Sequence, residues 1–63
     1  MSGKEVCKII EKDGWRFVRQ NGTSHRVYKK VGVDKIVTVP MHKTVSIGVL
    51  RQIERITGLS LRH

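Results

Sequence analysis

The dipeptide Asn21-Gly22 constrains the fold of this chain more than any other short segment. Asparagine and glycine tolerate the positive φ angles of a tight antiparallel turn, so the pair predicts a β-hairpin. Residues 15–20, before the turn, have the aromatic and β-branched content of a strand, and residues 24–30 are predicted to return alongside them. A third strand is predicted over residues 36–40, and the proline at its end cannot donate to a ladder.

Amphipathic helices are predicted on both sides of the strands. In the first helix, Ser2 and Glu5 have the spacing of a capping box, and Asp13-Gly14 is a stop signal. The second helix is predicted over residues 47–57. The predicted apolar stripes are Val6, Ile9 and Ile10 in the first helix and Ile47, Leu50, Ile53 and Ile56 in the second.

The order helix, strand, strand, strand, helix predicts an α+β fold. A three-stranded antiparallel meander offers one apolar face, and both helices are expected to cover it. With 63 residues the chain is long enough for one domain, residues 1–63, with a thin core and a shallow surface site. The other sheet face is expected to be open to solvent and rich in cations from the first two strands.

The charge of the chain points to a polyanionic partner. Thirteen Lys and Arg against five Asp and Glu give a net charge of +8. Nucleic acid, an anionic membrane face and an acidic protein all fit this charge, and a solvated basic surface is the plainest alternative. There is no run of the ~20 apolar residues that a membrane span needs, so no spanning helix is expected. Of the three kinds of partner, we expect nucleic acid and an acidic protein and no membrane. Cys7 is the only cysteine, and we expect it in the core or at its boundary rather than as a nucleophile. The lack of disulfides indicates the cytoplasm.

Few side chains could carry catalysis. The acids are scattered and no metal-binding motif is present, so an enzyme of this sequence is expected to work without a metal or other cofactor. His25 begins the second strand directly after the turn. His42 follows Pro40 and is either a phosphate contact or an exposed loop residue, and His63 is expected to have no role.

Metal-free RNA cleavage needs only the residue types that surround His25. A base removes the proton of the ribose 2′-OH, whose oxygen attacks the adjacent phosphorus. An acid protonates the leaving 5′ oxygen, and cations stabilise the extra negative charge on the phosphorane oxygens. Imidazole serves either proton-transfer role because it titrates near neutral pH, and lysine and arginine serve the electrostatic one. The residue types around His25 are sufficient for this reaction, but a lone histidine at the start of a strand is more often structural than catalytic.

Three blocks of this sequence resemble the HicA toxins of bacterial and archaeal toxin–antitoxin pairs, in the family's order and at its spacing. The resemblance extends from Lys4 to Leu59. One departure is Thr23, which makes the hairpin one residue longer and predicts a local shift in register. The matching residues are Gly14, Trp15, Arg19, Gln20, Gly22, Ser24, His25 and Tyr28, then Val37 to Pro40 and His42, then Gly48, Leu50, Ile53, Gly58 and Leu59.

The resemblance implies a double-stranded-RNA-binding-domain-like fold and an mRNA interferase, an endoribonuclease that cuts RNA without a metal. It places the catalytic histidine on His25 and implies a HicB-like antitoxin that masks the site. Trp15, Phe17 and Tyr28 are expected to pack in the core or on the sheet rather than stack on bases. The candidate RNA-binding or supporting residues are Ser24, Arg26, Lys29, Lys30, His42 and Lys43.

Two alternatives to a ribonuclease stay open. A non-catalytic module of the double-stranded-RNA-binding type has the same fold and charge, although such domains usually carry lysines at the start of the last helix, and IGVLRQIER has none. A decayed toxin, whose basic surface serves only to pair with an acidic antitoxin, is the other.

Overall fold

The computed structural model describes residues 1–61, and His63 lies outside this range. Its elements confirm the predicted order of helix, three strands and helix. They are α1 (Gly3–Lys12), β1 (Arg16–Asn21), β2 (His25–Lys29), β3 (Val37–Pro40) and α2 (Ile47–Thr57).

Local signals form α1 as the sequence predicts. The Ser2 hydroxyl accepts from the Glu5 N–H at 3.1 Å, and the Glu5 carboxylate accepts from the Ser2 N–H at 2.9 Å, which completes the capping box. The helix buries Val6, Cys7 and Ile10, so the expectation that Cys7 is a core residue is confirmed.

The sheet has the order β1-β2-β3, with antiparallel pairing throughout. Asn21 pairs with His25 across the hairpin loop, and His25 pairs with Pro40 on the other side. The register shifts within β1, where Phe17 pairs with Tyr28 but Arg19 pairs with Val27. The extra residue, Val18, is therefore a β-bulge in the edge strand.

The two faces of the sheet differ because residues paired across neighbouring strands point to the same side. Tyr28, Val37 and Val39 face the helices and are fully buried, and both helices pack against β3. The opposite side, which we call the open face, carries His25 and Lys29 from β2. The core consists of Val6, Cys7, Ile10, Trp15, Tyr28, Val37, Val39, Val45, Leu50, Ile53 and Leu61.

Trp15 and Tyr28 are buried, and Phe17, which is 46% exposed, packs on the sheet with its ring edge-on to that of Tyr28 and 6.0 Å between ring centres, as expected. One expectation about packing needs correction. In α2 the predicted stripe is wrong at Ile47, which is 63% exposed. A strict three-residue spacing turns about 60° around an α-helix at each step, so all four residues of the stripe cannot face one core. Val49 packs against the core in its place.

Within residues 1–61, neither helix has the length and apolar character required to cross a membrane.

Candidate functional site

His25 stands at the first position of the central strand, exposed on the open face. The preceding loop is held from both sides. The Gln20 side-chain amide donates to the Thr23 carbonyl at 3.0 Å, and the Met41 N–H donates to the Ser24 carbonyl at 2.6 Å. The backbone that presents His25 is thus fixed to β1 and to the segment that follows β3.

His42 lies beside His25, because it follows Pro40, the partner of His25 in β3, by two residues. The two ring centres are 6.3 Å apart and the ring planes are inclined by 70°. Both side chains are exposed, and Lys43, which follows His42 in the chain, is also exposed. The two imidazoles therefore form one exposed pair at this end of the sheet.

The segment that carries His42 is anchored on the start of α1. The Gly3 N–H donates to the His42 carbonyl at 2.9 Å, and the Val45 N–H donates to the Met1 carbonyl at 2.8 Å. Gly3 is buried at this contact, where a Cβ atom would overlap the Pro40 carbonyl oxygen and lie 2.9 Å from the Met41 Cα. Glycine at this position lets the two backbones meet.

Two arginines on the open face are missing from the sequence prediction. Arg16 pairs with Lys29 and Arg19 pairs with Val27, so both point to the same side as His25. In a regular strand, residues three apart would face opposite sides, and the bulge at Val18 brings them together. The longer hairpin predicts a register shift, but no local signal locates it at Val18.

Arg26 and Lys30 face the helix side, where their charged groups make contacts within the molecule. The Lys30 ammonium forms an ion pair with Asp13 at 2.9 Å, and both side chains are about one-third exposed. The Arg26 guanidinium lies 4.4 Å from the centre of the Phe17 ring, a cation–π distance. The structure therefore does not bring these two predicted supporting residues onto the open face, whereas Lys29 lies on it.

The core beneath β2 contains two ionisable groups. Burial raises the pKa of Tyr28 far above its ordinary value, and hydrogen bonds with Cys7 and Glu11 raise it further. Its hydroxyl donates to the Glu11 carboxylate at 2.7 Å. Burial also raises the pKa of the Cys7 thiol, in part offset by its hydrogen bond with Tyr28. Cys7 is therefore held as a neutral thiol.

Among residues 1–61, His, Cys, Asp and Glu side chains form no group of three or more that could hold a metal ion.

Comparisons with known proteins agree with the resemblance seen in the sequence. A family model described as the HicA toxin of bacterial toxin-antitoxin systems matches residues 3–59. A chain of the solved "HicA3 and HicB3 toxin-antitoxin complex" is 35% identical and superposes with a TM-score of 0.83. That alignment covers 98% of this chain and 100% of the other. No curated protein sequence matches.

Proposed function

This chain belongs to the HicA family, the toxins of toxin–antitoxin pairs, and from that premise we propose that it is an endoribonuclease that cleaves mRNA through His25. The observation that carries the proposal is the exposed His25 imidazole at the end of a cationic sheet face, with a second imidazole 6.3 Å away. Proton transfer and phosphate binding, the two requirements of metal-free RNA cleavage, are both available there.

The open face supplies the electrostatic part of this reaction. Arg16, Arg19 and Lys29 can bind the phosphates that flank the scissile bond and orient the strand across His25. Lys43 extends the same positive charge past His42. Arg26 and Lys30, which already contact Phe17 and Asp13, support the sheet in this scheme rather than the substrate.

The proposed partner is a HicB-like antitoxin that covers this site. The structural neighbour is a chain from a HicA3–HicB3 complex, and the match extends over the whole of that chain. A net charge of +8 favours a partner with an acidic surface. That surface would cover the open face, which would otherwise bind RNA. An mRNA substrate and an unpaired cysteine both suit the cytoplasm.

The first experiment compares the purified wild type with His25→Ala on a long single-stranded RNA, with a chelator present. We expect the wild type to fragment the RNA and His25→Ala to be at least about 100-fold slower, the usual contribution of one proton-transfer group. Arg51→Ala is a suitable control because Arg51 is an exposed cation on α2, away from the open face.

Three outcomes contradict the proposal. Equal cleavage by wild type and His25→Ala would show that His25 does not carry the reaction. Cleavage by the wild type that the chelator abolishes would point to metal-dependent chemistry. Salt-sensitive RNA binding by both proteins without any fragments would identify the non-catalytic binding module instead. The cationic face would bind RNA in that case too.

A further inference from the structure

We propose that His42 is the second proton-transfer group of the cleavage reaction, acting on the opposite side of the phosphodiester from His25. The inference rests on the proposed ribonuclease function and names the residue that completes it.

The geometry of the two rings suits a shared substrate. With 6.3 Å between centres and planes inclined by 70°, the imidazoles are neighbours but do not stack on one another. A general acid or base acts within about 2.6–3.2 Å of the atom that gains or loses the proton. One phosphodiester group inserted between the rings can reach a nitrogen of each at that distance. Both rings are exposed, so a strand lying along the open face has access to them.

The chemistry requires two groups in opposite protonation states. The basic imidazole takes the proton of the 2′-OH while the 2′ oxygen forms a bond to phosphorus. The bond from phosphorus to the 5′ oxygen then breaks, and the imidazolium on the other side gives that oxygen its proton. The products are a 2′,3′-cyclic phosphate and a 5′-hydroxyl end, and the two histidines have exchanged protonation states, which water restores.

The other ionisable side chains of the described chain are poorly placed for the second role. The arginine and lysine side chains on the open face are suited to binding phosphate, whereas proton transfer near neutral pH is the role of an imidazole. Tyr28 is buried on the helix side. The carboxylates lie elsewhere: Glu5 caps α1, Glu11 accepts from Tyr28, Asp13 pairs with Lys30, Asp34 follows the far end of β2, and Glu54 accepts from the Leu61 N–H.

The backbone around His42 is as firmly held as that around His25. Its carbonyl accepts from the Gly3 N–H at 2.9 Å, and Met41 bonds to Ser24 directly before His25. Two short hydrogen bonds thus connect the start of α1, the His42 segment and the hairpin loop. A catalytic pair needs this kind of fixed spacing, because small displacements of a proton-transfer group reduce the rate steeply.

The test uses a substrate that needs no general acid. The preferred cleavage position of the wild type is mapped first, and an oligonucleotide is then made with sulfur in place of the leaving 5′ oxygen at that position. Because a thiolate leaves without protonation, the variant that lacks the acid should recover on this substrate. On the all-oxygen oligonucleotide we expect His42→Ala and His25→Ala each to be ~100-fold or more slower in single-turnover cleavage. On the sulfur substrate, one of the two should approach the wild-type rate.

The pattern of rescue decides the inference. Recovery of one variant and not the other assigns the acid and the base to the two histidines. Recovery of neither or of both, or a His42→Ala rate on the all-oxygen substrate within a few-fold of the wild type, would overturn the role of His42. In that last case an inactive His25→Ala would still support the ribonuclease, so the two proposals fail separately. His42→Gln keeps a polar side chain of similar reach and should be as slow as His42→Ala.

Discussion

Tyr28 and Cys7 are ionisable residues buried in the core, on the helix side of the sheet. Tyr28 is 0% exposed, and its hydroxyl donates to Glu11 at the helix surface, while the Cys7 thiol donates to the Met41 sulfur at 3.7 Å. Burial raises the pKa of both groups, so the folded protein keeps protons that the unfolded chain would release at alkaline pH. The free energy of unfolding must therefore change with pH in the alkaline range, because these two residues lose their protons at different pH in the folded and unfolded states.

The sign of that dependence is fixed by the direction of the pKa shifts. A group whose pKa is raised on folding stabilises the native state below its unfolded pKa, and this contribution declines as the pH rises above that value. For a cysteine in the unfolded chain this begins at about pH 8.5, and for a tyrosine at about pH 10. We expect the urea midpoint of the wild type to fall between about pH 8 and pH 11, and that of the Cys7→Ala, Tyr28→Phe double variant to fall less.

The comparison is made on each protein relative to its own midpoint at neutral pH, because both substitutions also disturb the core. Tyr28→Phe alone should cost about 1 kcal/mol at neutral pH, since it removes one hydrogen bond to a solvent-exposed carboxylate. If the urea midpoints of the wild type and the double variant fell equally steeply at alkaline pH, other groups would control the decline.

At the scale of the elements, the sequence predicts those parts of the fold that local interactions determine. The capping box starts α1, and Gly22, with a φ of 70°, begins the hairpin loop directly after Asn21 at the end of β1, because each signal acts within a few residues of the chain. The bulge at Val18 and the exposure of Ile47 depend on how distant elements meet, which no short pattern contains.

The candidate site could also be predicted from the sequence only in part. The position of His25 follows from the turn that precedes it, whereas its neighbour His42 arrives through the pairing of β2 with β3 and the contact of Gly3 with the following segment. The sequence therefore points to both histidines but does not place them together. Arg16 and Arg19 escape prediction because alternation along a regular strand assigns them to opposite faces.

The contact at the start of α1 makes Gly3 a positioning residue for His42. An added methyl group at Gly3 must displace either the helix or the segment of Pro40 to His42, and overpacking of this kind costs about 1–3 kcal/mol. We expect Gly3→Ala to lower both the urea midpoint and the rate of RNA cleavage. When binding and single-turnover cleavage are measured separately, the chemical step should slow more than RNA binding weakens.

Gly48→Ala is the matched control for this prediction. Gly48 is also near a helix start, but an added Cβ meets no heavy atom within 4 Å. Alanine there should leave cleavage unchanged and be neutral or stabilising by up to about 1 kcal/mol. Equal effects of the two substitutions on cleavage would exclude a specific role for the Gly3 contact.

At the scale of the whole molecule, we expect RNA binding to depend more on where the cations lie than on the net charge. Arg16 lies directly opposite Lys29 on the open face, and like charges in such cross-strand pairs destabilise a sheet. The other cations include Lys4, Lys8 and Lys12, which are exposed on α1. A polyanion that binds to this face reduces the repulsion between its cations.

This placement predicts how salt affects RNA binding. For single strands, the slope of log K against log salt changes by about 0.7 for each phosphate that the protein neutralises. In a His25→Ala background, which is expected to keep the RNA intact if His25 is catalytic as proposed, replacing Arg16, Arg19 and Lys29 by glutamine should therefore reduce the slope by about 2. Replacing Lys4, Lys8 and Lys12 by glutamine removes the same charge from α1 and should reduce it far less. Equal reductions would mean that RNA binding follows net charge alone.

The bulge at Val18 also affects how related chains should be aligned. Arg16 and Arg19 are three positions apart, yet they occupy the places that a strand without the extra residue would fill with residues two positions apart. A gapless alignment across β1 would therefore match an arginine on the open face of one chain with a residue that faces the helices in another. A single gap opposite Val18 restores equivalent positions when this strand is aligned with one that lacks the bulge.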